Sequence, residues 1–80
     1  MNPLDLPPDE IPDLESRLTP RQLQIVELIA RGKRIEEITY ILSISRSTVR
    51  NHITHIFKRL DIDNRLSLVV LYVRWKMKAP

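Results

Sequence analysis

The spacing of apolar side chains in residues 46–60 constrains the fold of this chain more than any other feature. They recur at i, i+4, i+7, i+8 and i+11, which places them on one face of an α-helix. The chain lacks the apolar–polar alternation, punctuated by glycine or asparagine, that would favour strands. The segment therefore predicts a helix with one buried side and one hydrated side. The buried side consists of Val49, Ile53, Ile56, Phe57 and Leu60.

Start and stop signals predict another helix before this one. Thr19 suits the N-cap, Pro20 the first helical position and Gln22 the third, which together form a capping box. Gly32 follows the last periodic residue and suits the left-handed position at which many helices end. These signals predict a helix over residues 20–31.

The remaining signals complete an all-α fold. Ser45 is suited to cap the helix over 46–60, and Asn64 is suited to cap a fourth helix over 65–76. A tight turn joins the helix over 46–60 to one predicted over 35–42, so this pair forms a helix-turn-helix. The helix over 35–42 is indicated by an apolar stripe of Ile35, Ile38, Ile41 and Leu42. Residues 18–80 are thus predicted to form one all-α, four-helix helix-turn-helix domain.

Residues 1–17 are predicted to be an extended or disordered acidic arm. They hold four of the six prolines, a density that disfavours both helix and sheet. Residues 1–16 carry five acids and no base, a net charge of −5, whereas residues 17–80 carry thirteen bases against five acids, a net charge of +8. A compact domain with that surplus attracts polyanions.

Composition argues against several other classes of function. Without cysteine, the chain has no disulfide and no cysteine-based metal or redox site, and two histidines are too few for most metal sites. No run of about 18 apolar residues indicates a membrane span, and the acidic, proline-rich beginning is not a secretory signal, so a cytoplasmic location is expected. No nucleophile, base and orienting group fall together. We therefore expect neither an enzyme nor a cofactor.

The hydrated side of residues 46–60 predicts a negatively charged partner. No acid lies anywhere from 43 to 60, although pairs of opposite charge would stabilise a merely solvated helix. Arg50 and Asn51 are residue types that form bidentate hydrogen bonds to guanine and adenine edges in the major groove. Ser47 and Thr48 lie in the first turn, where free backbone N–H groups favour phosphate. The segment therefore predicts a helix inserted into the major groove of double-stranded DNA.

Apolar and polar marks run in register through residues 18–71. They are Leu18-Thr19-x-Arg21, Leu28-Ile29-Ala30-x-Gly32, Glu37-Ile38, Leu42-x-Ile44-Ser45-x-x-Thr48-Val49-x-x-His52 and Lys58-x-Leu60-x-Ile62-x-x-Arg65. This arrangement resembles the LuxR/GerE-type helix-turn-helix domain of bacterial transcription regulators. The resemblance implies a four-helix fold in which the third helix reads the major groove and the fourth builds a symmetric homodimer.

Site residues are assigned from the residue pattern together with this resemblance. Base contacts are expected from Arg50, Asn51 and Thr54. Contacts to the DNA backbone are expected from Arg46, Ser47, Thr48, Lys58, Lys33 and Arg34. The dimer surface is expected at Leu68, Leu71, Tyr72 and Trp75.

The chain also departs from the family pattern. Glu36 stands where a phosphate-contacting lysine is common, so Lys33 or Arg34 is expected to replace that contact. Thr54 stands where the family often has a longer side chain, so readout there should be short or mediated by water. Residues 1–17 cannot form the phosphoacceptor or ligand domain that most relatives carry, so the chain resembles a stand-alone, GerE-like member or an excised domain.

The fourth predicted helix leaves alternatives open, because it carries two apolar stripes. We assign Leu66, Val69, Val70 and Val73 to the core, which leaves the stripe at Leu68, Leu71, Tyr72 and Trp75 exposed. Exposed apolar patches usually mark interfaces. The exposed stripe either forms the homodimer, or docks on RNA polymerase or another regulator as a protein-interaction module, or is covered by the arm through Leu4, Leu6 and Ile11. The acidic arm has a further alternative, which is to lie on the basic face and weaken non-specific DNA binding.

Overall fold

The computed structural model describes residues 2–78, so Met1, Ala79 and Pro80, which the predicted arm and domain include, lie outside the described residues. Within that range the chain is helical and contains no strand, which confirms the all-α prediction. The elements are a 3₁₀ turn at Pro8–Glu10 and the helices α1 (Leu14–Arg17), α2 (Pro20–Ala30), α3 (Ile35–Leu42), α4 (Arg46–Leu60) and α5 (Arg65–Lys78). None of the helices in residues 2–78 is long and apolar enough to span a membrane.

Helices α2, α4 and α5 begin at the residues that their capping signals indicate. Thr19 and Gln22 form the expected capping box: the Gln22 N–H donates to Thr19 Oγ1 (3.1 Å), and the Thr19 N–H donates to Gln22 Oε1 (3.0 Å). Ser45 Oγ accepts from the Thr48 N–H at 3.1 Å at the start of α4. At the start of α5, Asn64 accepts a hydrogen bond from the Ser67 N–H at 2.8 Å. Local hydrogen-bonding chemistry thus sets these boundaries.

The ends of α2 and α3 use left-handed backbone with different residues. Gly32 follows α2 with a φ of +83°, as expected, whereas the end of α3 places Ser43 at a φ of +54°. A Cβ at Gly32 would meet no atom within 4 Å, so Gly32→Ala introduces backbone strain without a clash. We expect Gly32→Ala to lower the free energy of unfolding by about 1 kcal/mol. Ser43→Gly should raise the free energy of unfolding by about 0.3 kcal/mol, because glycine adopts this backbone conformation without strain. Urea denaturation of both variants checks this, and a stabilising Gly32→Ala would contradict it.

The core lies where α2 crosses α4 and α5, with α3 packed on α4. The predicted buried side of α4 is confirmed: Val49, Ile56 and Leu60 are buried, and Ile53 and Phe57 are half-buried against them. The opposite side of α4 faces solvent. The buried side chains contributed by the other helices of the domain and by the segment after α4 are Ile25, Val26, Ile29, Ile38, Ile62, Leu68 and Leu71.

The arm, which the sequence predicts to be extended or disordered, is packed against the domain. Residues 2–17 form the 3₁₀ turn and the single turn of α1, and they bury Pro3, Ile11 and Leu14. Proline tolerates this conformation because Pro8 occupies the first position of its turn, where its missing N–H costs nothing. The arm therefore extends the hydrophobic core.

Polar contacts hold the arm to the second half of α5. Arg74 Nη1 donates to two arm carbonyls, those of Pro3 (2.6 Å) and Leu6 (2.7 Å). Trp75 Nε1 donates to Asp13 Oδ1 at 3.1 Å, and Lys78 Nζ donates to the Pro8 carbonyl at 2.6 Å. The arm thus covers one side of α5, as one alternative predicted, with Leu6 and Ile11 packed but Leu4 exposed.

The two apolar stripes of α5 are largely exchanged relative to the prediction. Leu68 and Leu71, assigned to a dimer surface, are fully buried against the rest of the protomer, so that assignment is wrong for both. Tyr72 and Trp75 are half-buried beside them, and burial raises the pKa of the Tyr72 phenol. Of the stripe assigned to the core, only Val69 packs against it, whereas Leu66 and Val73 are exposed and Val70 is half-buried. Met77, one turn beyond Val73, is also exposed. We call the solvent-facing set the outer stripe: Leu66, Val70, Val73 and Met77. The exchange arises because α2 and the arm together cover the larger, aromatic side of the helix.

Candidate nucleic-acid interface

Helices α3 and α4 form a helix-turn-helix joined by residues 43–45. The left-handed Ser43 reverses the chain, and the Ile44 N–H donates back to the Thr39 carbonyl at 3.3 Å. Ser45 then caps α4 directly. This connection leaves the polar side of α4 in solvent while α3 packs against its apolar side.

The structure brings most of the predicted DNA contacts together on that polar side. Arg50, Asn51 and Thr54 are exposed in the middle of α4. Arg46 and Ser47 precede them at the start of the helix, and Lys58 follows. Residues spaced by three and four share a face of a helix, so these side chains form one surface, which we call the polar face.

The first turn of α4 is organised around Ser45. Its hydroxyl lies 2.8 Å from Thr48 Oγ1 and 3.1 Å from Ser47 Oγ. The N–H groups before that of Thr48 have no carbonyl partner within a helix. The turn therefore presents N–H donors and small hydroxyls, together with the positive end of the helix dipole, to an anion such as phosphate.

Thr54 is restricted in how it can contact a base. Its hydroxyl donates to the Arg50 carbonyl one turn earlier, at 3.0 Å. In this conformation the oxygen can accept a hydrogen bond but has no proton left to donate. In the predicted base contact, the Thr54 oxygen could therefore only accept a hydrogen bond, from a base or from a water molecule. The Thr54 methyl group could make an apolar contact.

Lys58 lies at the far end of the polar face. It lines a shallow depression of about 370 Å³ with Thr19, Gln22, His55 and Arg59, between the start of α2 and the second half of α4. Two of these five side chains, Lys58 and Arg59, are basic. The position suits a contact to DNA backbone rather than to bases read by the first turns of α4.

Lys33 and Arg34 lie before α3 and are not on α4. Lys33 Nζ is 3.9 Å from Glu37 Oε2, and the Arg34 N–H donates to Glu37 Oε1 at 3.0 Å. Arg65 fixes this connection from α5, since its Nη2 donates to the Lys33 carbonyl at 2.7 Å. The sequence marks Arg65 only as part of the family pattern, and its structural role depends on a contact 32 residues away in the chain.

One acid enters the site from α3. Arg46 Nη2 donates to Glu36 Oε1 at 2.6 Å, and the two side chains are 50% and 60% exposed. A hydrogen bond from its own backbone and the positive charge of Arg46 lower the pKa of the Glu36 carboxyl, so it is ionised at neutral pH. The sequence marks Glu36 as unusual, but the pair itself depends on how α3 and α4 cross.

Comparison with known proteins agrees with this architecture. The family model for bacterial regulatory proteins of the luxR family matches residues 16–72. The transcriptional regulatory protein DesR of Bacillus subtilis (strain 168) is 40% identical over 65 residues, which make up 78% of this chain and 33% of DesR. An uncharacterized response regulatory protein of Escherichia coli (strain K12), YgeK, is 38% identical over 60 residues, or 75% of this chain and 41% of YgeK. No solved structure is significantly similar to the chain.

The fold and the family match together identify the molecule as a helix-turn-helix domain of the type found in bacterial regulatory proteins. The chain belongs to the luxR family of bacterial regulatory proteins. Another relative, the transcriptional regulatory protein LiaR of Bacillus subtilis (strain 168), is 45% identical over 53 residues, or 66% of this chain and 25% of LiaR. The chain thus spans less than half the length of each of these three relatives.

Proposed function

We propose that this chain binds specific sequences in double-stranded DNA and regulates transcription, with α4 in the major groove. The observation that carries the proposal is the polar face, which has no acid on its own helix and lies opposite the buried side of α4. Arg50 and Asn51 read base edges, and Thr54 accepts a hydrogen bond from a base or a water molecule. Such a protein acts on bacterial DNA in the cytoplasm.

The remaining predicted contacts position the helix without reading sequence. Arg46, Lys58 and the first-turn groups of Ser47 and Thr48 bind phosphates on either side of the groove. Lys33 and Arg34 bind phosphate from the start of α3, and for Lys33 the phosphate competes with the Glu37 carboxylate. Because these contacts neutralise phosphates, they make binding depend steeply on salt.

We further propose that two copies pair through the outer stripe of α5. Its members recur at i, i+4, i+7 and i+11, the spacing of a seam between two helices. Leu66, Val73 and Met77 are large apolar side chains that one protomer leaves in water. A second copy supplies an identical stripe, so a two-fold axis buries both without any other partner. The dimer then presents two α4 helices to half-sites spaced by about 10 base pairs or a multiple.

A second candidate function rests on the same stripe. As a protein-interaction module, the chain would dock the outer stripe on RNA polymerase or another regulator and would use the helix-turn-helix only for support. The exposed apolar side chains of α5 are equally consistent with this alternative and with the dimer. The uniformly positive charge of the polar face favours DNA binding.

Selection from random duplex DNA tests the proposal directly. The chain is incubated at physiological salt with a random pool, bound DNA is amplified over several rounds, and native mass spectrometry records the free protein and its complexes. We expect an enriched inverted repeat and a complex that contains two protein chains per site. An unenriched pool, together with a monomer that captures purified RNA polymerase through α5, would favour the interaction module.

A further inference from the structure

Glu36 places a negative charge against the DNA-facing surface of the free protein. Its carboxylate contacts Arg46, the first residue of α4, across the helix-turn-helix. Arg46 shares the polar face with Arg50, one turn along the helix. The acidic arm was the other candidate for this role, but its polar contacts with the described part of the domain are with α5 and with Arg59, whose Nε donates to the Arg17 carbonyl.

A carboxylate and a DNA phosphate compete for the same donor. Both are anions that accept hydrogen bonds from a guanidinium, and the Nη2 group that would bind a phosphate is 2.6 Å from Glu36 Oε1. Both side chains are about half exposed, so DNA can reach the pair without unfolding either helix. Exchange of one anion for the other therefore needs only a rotation of the Arg46 side chain.

We propose that Glu36 is an intramolecular counter-ion that occupies Arg46 in the free protein and that a DNA phosphate must displace. This inference rests on the proposed DNA binding. The exchange involves no base, so Glu36 weakens binding to every duplex alike and leaves the preference between sequences unchanged. Its effect is to limit the time that the domain spends on non-specific DNA, where phosphate contacts supply nearly all of the affinity.

The neighbouring Glu37 has a different role. Its carboxylate accepts from the Arg34 N–H at 3.0 Å and therefore caps α3, and its ion pair with Lys33 is long, at 3.9 Å. A change at Glu37 would disturb the helix start as well as the charge. Glu27 is the better control, because it forms an ion pair of similar length (2.7 Å) with Arg31, the residue that follows α2, away from the polar face.

The test measures binding of the full chain to the selected site and to an unrelated duplex of equal length. The variants are Glu36→Gln, Arg46→Gln, the double variant and Glu27→Gln. Glutamine keeps an oxygen that can accept from Arg46 but removes the charge. We expect Glu36→Gln to tighten binding to both duplexes by about two- to five-fold per protomer, the range for exposed ion pairs. Glu27→Gln, which removes the same charge elsewhere, should give a smaller gain, and the gain from Glu36→Gln should shrink in the Arg46→Gln background.

Each other outcome overturns the inference. An unchanged affinity means that the pair does not compete with phosphate, and a weaker one means that Glu36 positions Arg46 for DNA. An equal gain with and without Arg46 means that Glu36 repels phosphate directly. A wild-type chain that binds no duplex refutes the proposed function and this inference with it, whereas normal wild-type binding with an inert Glu36→Gln refutes the inference alone. A carboxyl NMR titration checks the pair without DNA, since the pKa of Glu36 should rise in Arg46→Gln.

Discussion

Replacing Val73 and Met77 together by lysine is expected to convert the protein from a dimer into a monomer and to weaken binding to its selected site by about 10²–10⁴-fold. Two-fold symmetry would bring four added ammonium groups into one apolar seam, where their burial without partners is costly. A dimer binds with higher affinity than a monomer because two α4 helices contact adjacent half-sites together, and this gain in affinity is about 10²–10⁴-fold. Loss of the dimer removes it. Because the added charges are positive, electrostatic attraction to DNA would by itself act in the opposite direction.

Tyr40 and Ile41 on α3 provide a matched control. Ile41 is 48% exposed against 45% for Val73, and Tyr40 is 88% exposed against 82% for Met77. Tyr40→Lys/Ile41→Lys therefore adds the same charge at equally exposed apolar positions. Sedimentation velocity should show a dimer for the control and a monomer for the α5 variant. Both variants should remain folded, because neither change empties the core, although the monomer loses the stabilisation that association gives. A dimer that survives the α5 change but not the α3 change would place the interface on α3.

The features of this fold that can be predicted from sequence are those determined by hydrogen bonds and side-chain spacing among residues close together in the chain. The capping box of Thr19 and Gln22 and the cap at Ser45 mark the beginnings of α2 and α4, because a side-chain oxygen and the N–H that it accepts from lie three residues apart. The polar face of α4 is predictable for a related reason. Its apolar stripe is narrow and single, so only one orientation buries it.

The buried side of α5 could not be predicted from local sequence. Its two stripes are both apolar, and nothing within residues 65–78 decides which one is buried. The choice depends on α2 and on the arm, whose contacts with Arg74, Trp75 and Lys78 join residues more than 60 positions apart. The arm is hard to predict for the same reason: its proline content rules out a long helix, while its order comes from α5.

The Glu36–Arg46 pair shows the same limit within the candidate site. The sequence identifies both residues as candidates, one as an unusual acid and the other as a phosphate contact. Their pairing across ten residues depends on the angle between α3 and α4, which the hydrophobic pattern does not fix. Sequence therefore predicts which residues form the polar face, and the structure adds that Arg46 is already paired with an acid of the same chain.

Arg50→Ala is expected to lower affinity for the selected site by about 1–3 kcal/mol and to relax base preference at one position in each half-site. The loss arises because a guanidinium bonded to a base edge discriminates against the other bases. Since the Arg50 side chain is exposed and only its backbone carbonyl bonds Thr54, the substitution should leave the thermal midpoint unchanged. Repeating the selection from random DNA with the variant measures both affinity and preference.

Lys58→Ala is the matched control for Arg50→Ala. Lys58 lies two turns beyond Arg50 on the same face, is also exposed and also loses one positive charge. Because a phosphate contact carries no sequence information, this variant should bind all duplexes more weakly and keep the selected motif. The slope of the logarithm of the binding constant against the logarithm of the salt concentration should become shallower by about one unit. The two variants thus separate readout from positioning along one helix. If Lys58→Ala altered the motif while Arg50→Ala kept it, the end of α4 that enters the groove would be the opposite of the one proposed.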